Sequence, residues 1–158
     1  WYLPMRLQRD QLCGSIGRGR EILAEREWDF AACPDRTSLL RYLAVLDDRE
    51  DYEAALSVAR AEGPGRELLF PPCEENLSSW HRLIRAAAGT GDTDFIERYL
   101  PPVLSVCGKQ DEADFLVLLL DVYQGEPLAA IKERLRSLLP EMACNEYFKE
   151  KLRERVEK

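Results

Sequence analysis

The sequence predicts an all-α protein built of stacked antiparallel helical hairpins, with an irregular helical bundle as the alternative. Three observations carry this. Prolines at 4, 34, 64, 71, 72, 101, 102, 127 and 140 divide the 158 residues into stretches of helical length. Within those stretches apolar residues recur three and four apart and do not alternate with polar ones. Val and Thr, which suit a pleated surface, are sparse.

Each element follows from its own pattern. Residues 15–29 set Ile16, Ile22, Leu23 and Trp28 among Glu, Arg and Ala, which predicts an amphipathic helix with a start blurred by Gly14, Gly17 and Gly19. Trp1, Tyr2, Leu3 and Met5 at the beginning imply docking onto the body or onto a neighbouring domain. Leu39, Leu40, Leu43 and Leu46 form a helical stripe over 36–47, with Asp35 or Thr37 as its cap. An acidic turn follows, and Tyr52, Ala55, Leu56 and Ala59 mark a second helix, stopped by Gly63-Pro64-Gly65. Residues 64–76 read as a Pro-rich linker, with Leu68-Leu69-Phe70 as an apolar plug and Pro71-Pro72 holding the chain extended. Ser78 or Ser79 is expected to cap a helix reaching about Ala88, with Trp80, Leu83, Ile84 and Ala87 on one side. After the turn at Gly91-Asp92 come Phe95, Ile96, Tyr99 and Leu100, and Pro101 should kink or break that helix.

The six apolar residues Phe115 to Leu120 could be a strand, but Glu112-Ala113-Asp114 and Asp121 beside them favour a helix over 111–124. Its apolar breadth predicts a central position, covered on most sides. Pro127 suits the first turn of the next helix, whose face is Leu128, Ile131, Leu135 and Leu138. Asn145 caps a last helix carrying Phe148, Leu152 and Val156. The expected organisation is one domain, 1–158: an N-terminal segment and helix (1–35), a first hairpin (36–63), the linker (64–76), second and third hairpins (77–140) and a C-terminal helix (141–158).

The turns at Asp48-Arg49-Glu50, Gly91-Asp92 and Gly125-Glu126 let three helix pairs be superposed. Gly91 and Gly125 lie 34 residues apart. The first interval is longer, and the Pro-rich linker absorbs the excess. Asp51-Tyr52-Glu53-Ala54-Ala55-Leu56 looks like the start of a second repeat helix, with Ala55 and Ala59 at small positions. Ala86-Ala87-Ala88 allows close helix contact, and Gly125 and Pro140 sit at unit boundaries. Over about residues 36–140 the chain thus resembles tetratricopeptide-like helical-hairpin repeat proteins. The Leu-Gly pair of the first helix and the full Ala-Phe-Ala set of that family are absent. The resemblance implies an α-solenoid that binds peptides or protein segments.

Composition narrows the function. With 22 basic and 29 acidic side chains the formal charge is −7, which disfavours nucleic acid and anionic membranes as partners. No apolar run is long enough to span a bilayer. Residues 1–15 lack the apolar core of a signal peptide, and the five Cys form no CxxC pair. An intracellular, cytoplasmic protein is the simplest expectation. The chain begins at Trp1 and not at Met, so a piece of a larger protein is also expected.

No catalytic constellation emerges. His81 is the single histidine and reads as structural or surface-lying. The Gly14–Arg20 stretch lacks the context of a phosphate loop, and residues 47–53 lack the glycine and spacing of a calcium loop. No cofactor, metal or catalytic residue is assigned, and an enzyme is not expected. The leading function is a protein-binding or regulatory helical-repeat scaffold. Its partner would be a peptide or protein segment, which could belong to another domain of the same parent chain. Asp48, Glu50, Asp51, Tyr52, Asp92 and Asp94 are the candidate rim of its groove. Two alternatives stand beside it: a helical sensory domain of a transcription regulator, binding a peptide or small apolar ligand, and an enzyme with an acidic site around Asp48 and Asp51.

Overall fold

The computed structural model describes Ala24 and residues 35–158. The docking expected of Trp1–Met5, the Gly14–Arg20 turn and, save for the helical Ala24, the helix over 15–29 lie outside these residues. Eight α-helices follow: α1 (Arg36–Asp48), α2 (Tyr52–Arg60), α3 (Pro64–Leu69), α4 (Leu77–Thr90), α5 (Thr93–Leu104), α6 (Lys109–Leu119), α7 (Gly125–Leu138) and α8 (Glu146–Glu157). Short 3-10 turns occupy Glu74–Asn76 and Leu139–Glu141. No strand occurs among the described residues, so the protein is all-α there.

Side-chain caps start four of the helices. Asp35, Asp51, Asp92 and Asn145 accept the backbone N–H groups of Ser38, Ala54, Phe95 and Phe148. Each satisfies an amide that the first helical turn leaves without a partner. Gly91 ends α4 in the left-handed conformation, φ 72°, where a side chain would be strained.

The centre of the molecule is α4, not α6. Helix α4 packs against α1, α2, α5 and α6, whereas α6 is held chiefly by α4 and α7. Trp80, Leu83, Ile84 and Ala87 are fully buried. On α6, Phe115, Leu116, Leu119 and Leu120 are buried, but Val117 and Leu118 are only half-covered. The six-residue apolar run therefore outlasts the face that has neighbours. Gly89 permits a close approach of Tyr52 onto α4: a Cβ there would lie 2.6 Å from the Tyr52 ring.

Residues 64–76 are a packed segment. Buried Asn76 organises it: Nδ2 lies 3.2, 3.1 and 3.1 Å from the carbonyl oxygens of Leu68, Leu69 and Pro71, and Oδ1 accepts the Cys73 N–H at 2.9 Å. The Trp80 indole N–H donates to the same Leu69 carbonyl at 3.1 Å. Burial without such partners would be costly for these polar groups. Because Asn76 stands at the start of α4 with its side chain engaged there, the cap expected from Ser78 or Ser79 does not form, and Ser79 is buried inside the helix. Phe70, Trp80 and Tyr99 meet with ring centroids 5.4 to 5.7 Å apart, and Phe95 joins Tyr99 at 4.7 Å.

Pro101 and Pro102 do not break α5, which runs through both to Leu104. Neither proline has an amide to give to the carbonyls of Glu97 and Arg98 one turn earlier. All four residues are exposed, so water can serve those carbonyls, while Val103 returns to the core. The C-terminal helices are joined by ion pairs. Arg134 grips Glu112 through two bonds of 2.8 and 2.9 Å, and Arg155 reaches Asp121 at 3.1 Å.

Candidate functional site

Helices α1, α4 and α6 leave a groove between them. Its cavity volume is about 490 Å³. From α1 come Leu40, Arg41 and Ala44; from α4, Leu77, Ser78, His81, Arg82 and Arg85; from α6, Asp111, Asp114 and Phe115. The α4 contribution has a helical cause. Ser78, His81, Arg82 and Arg85 are spaced three, four and seven along the helix, which puts them on one stripe away from Trp80, Leu83, Ile84 and Ala87.

The two long walls differ in sign. On the α1–α4 wall, Asp47 bonds Arg82 at 2.5 Å and lies 3.5 Å from Arg85. Arg41 has no ion pair among the described residues and is exposed. On the α6 wall, Gln110 donates to Asp114 at 3.1 Å while its carbonyl oxygen accepts the Ala143 N–H at 2.7 Å. Gln110 thus fixes Asp114 against the loop that follows α7. His81 lies between the walls, with its ring 5.6 Å from that of Phe115. Burial lowers its pKa from the ordinary 6.5, Asp114 and Asp47 oppose that shift, and Arg85 and Arg82 reinforce it. The imidazole therefore holds a proton less readily than an exposed one.

A second cavity, about 530 Å³, lies on α2, α3 and α5 and is lined by Arg60, Arg66, Asp92, Asp94, Phe95, Arg98 and Tyr99. Arg60 pairs with Asp92 and lies over the Phe95 ring, and Arg98 lies over Tyr99. These guanidinium groups already rest on aromatic faces.

No protein-family model, curated protein or solved structure matches the chain.

The six residues expected as a rim fall in two places and do different jobs. Asp51 and Asp92 are helix caps, and Asp92 also holds Arg60. Tyr52 is half-buried against Gly89. Asp48 and Glu50 are exposed at the α1–α2 turn, where Glu50 adopts φ 55°. Asp92 and Asp94 line the second cavity, and none of the six lines the groove. The groove residues escaped sequence reading because a charged helical stripe looks like any solvated face. The available signal was the spacing of Ser78, His81, Arg82 and Arg85 opposite a strong apolar stripe.

Other chemistry has little to build on. Burial pushes the Cys107 thiol up, and Asp111 and Glu112 add to the shift, so the nucleophilic thiolate is disfavoured. Among the described residues no three His, Cys, Asp or Glu side chains converge to hold a metal ion. No helix among them is long and apolar enough to cross a membrane.

Proposed function

We propose that the chain is a protein-binding scaffold of stacked helical hairpins whose α1–α4–α6 groove receives an extended segment of a partner protein. In this arrangement α1–α2, α4–α5 and α6–α7 are three successive pairs, and the groove is lined by the first helix of each. That common lining is the observation that carries the proposal. Successive pairs that share an interior leave a continuous face for recognition, as helical-repeat proteins do. Apolar Leu40 and Leu77 can bury side chains of the segment, and the charged walls can set its direction. The charged lining suits a peptide better than a small apolar ligand.

The test is selection of random dodecapeptides displayed on phage, followed by mapping of the enriched peptides by NMR. Groove binders should shift the resonances of Ala44, His81 and Phe115. Ala44→Trp, which fills the groove from α1, should abolish that binding and leave the melting temperature nearly unchanged. Peptides that bind but leave these three resonances and Ala44→Trp affinity untouched would refute the proposal.

A further inference from the structure

We infer that the segment taken by the groove is acidic, with its carboxylates received by Arg41 and Arg85 beside an apolar side chain seated on Leu40 and Leu77. This rests on the peptide-binding proposal above and adds the chemistry of the ligand.

The asymmetry of the α1–α4 wall points there. The wall carries three guanidinium groups, those of Arg41, Arg82 and Arg85, and one carboxylate, Asp47, which pairs with Arg82 and Arg85 alone. The shorter contact, 2.5 Å, goes to Arg82, while Arg85 is 3.5 Å away and its side chain is about half exposed. Arg41 stands exposed and has no ion pair among the described residues. Two guanidinium forks are therefore available to a ligand, and their planar geometry suits carboxylates. A basic segment would face these arginines with only Asp111 and Asp114 in its favour, and Asp114 already accepts from Gln110.

The chain's net charge of −7 opposes an acidic partner at long range. That opposition is weak at contact, because 0.15 M salt screens charges beyond about 8 Å. The guanidinium groups inside the groove decide the local field.

His81 offers an internal reporter, since it is the single histidine. Asp47 of α1, Arg82 and Arg85 of α4 and Asp114 of α6 are the charges acting on it. A ligand carboxylate arriving nearby raises the affinity of the imidazole for a proton. Binding then takes up protons, and affinity rises as the pH falls from 7.5 to 6.

The dodecapeptide selection tests this directly. Groove-binding peptides should be enriched in Asp and Glu next to Leu, Ile or Phe. The Arg41→Glu/Arg85→Glu variant should weaken the best of them by about tenfold or more, because it sets like charges opposite each other. Arg98→Glu in the second cavity should leave affinity unchanged. Higher salt should weaken binding, and the His81 resonance should titrate at higher pH in the complex. Groove-binding peptides that are neutral or basic, or acidic peptides indifferent to Arg41→Glu/Arg85→Glu, would overturn the acidic assignment and leave the peptide groove standing. Absence of any groove-binding peptide would overturn both.

Discussion

The two faces of α4 obey one helical period and have opposite fates. Trp80, Leu83, Ile84 and Ala87 are fully buried, and the Trp80 indole is also tied to the Leu69 carbonyl. Ser78, His81, Arg82 and Arg85 are displaced by two residues or fewer and line an open groove. One face is defined by what covers it and the other by how far its neighbours stand back. In a helix held from several sides, the side left uncovered is where recognition can be placed without loss of stability.

The sharpest way to break this comparison is to truncate one residue on each face. Trp80→Ala removes the largest fully buried side chain among the described residues, its indole hydrogen bond and its ring contacts with Phe70 and Tyr99. The expected loss is about 3–5 kcal/mol in urea unfolding followed by circular dichroism. Arg85→Ala on the opposite face should change stability by no more than about 0.5 kcal/mol. Comparable losses at the two positions would mean that the groove face is in fact a packed interface.

A similar contrast lies within α6. Leu119→Ala should cost about 2–5 kcal/mol, because the residue is buried against the core. Leu118→Ala should cost distinctly less, since Leu118 is only half-covered. Equal costs would restore α6 to the central position expected from its apolar run.

Asn76 separates stability by packing from stability by hydrogen bonding. Asn76→Ala leaves the Leu68 and Pro71 carbonyls and the Cys73 N–H without this partner, although Leu69 keeps the Trp80 indole. The expected cost is about 1–3 kcal/mol. Hydrogen exchange should show protection lost first over residues 64–76.

These contrasts also show what the sequence could disclose. Most of the helices, the caps at Asp35 and Asn145, and the buried stripes of α1 and α4 were legible, because each is written in the local spacing of the chain, whereas α3 lies in the stretch that reads as a Pro-rich linker. The role of Asn76 was not, because its partners are carbonyls supplied by a neighbouring segment. Nor was the centrality of α4: Phe115 to Leu120 is the longer apolar run, but the number of packed neighbours decides which helix is enclosed. The acidic turn misled for a related reason. Asp47 turns inward to Arg82 and Arg85, Asp51 caps α2, and Asp48 stays exposed, so adjacent residues of one charge entered three environments. Sequence proximity grouped them, and helical direction separated them.

The smallest expected effect belongs to His81 and distinguishes a half-buried groove floor from a fully solvated face. Its folded pKa lies below the ordinary 6.5, chiefly through burial. The unfolded chain therefore binds a proton more readily at this site than the folded one. The associated stability is complete above pH 6.5 and falls as the pH is lowered toward the folded pKa. Glu112 follows the same sign at lower pH: its hydrogen bonds to Arg134 hold the carboxyl below its ordinary 4.5, so that its contribution is lost only in stronger acid. Unfolding measured at pH 7.5 and 5.5 should thus show a decline in the wild type that His81→Gln reduces and Glu112→Gln leaves intact. If His81→Gln leaves the decline unchanged, the imidazole titrates as it would in water, and the floor of the groove is open to solvent on every side.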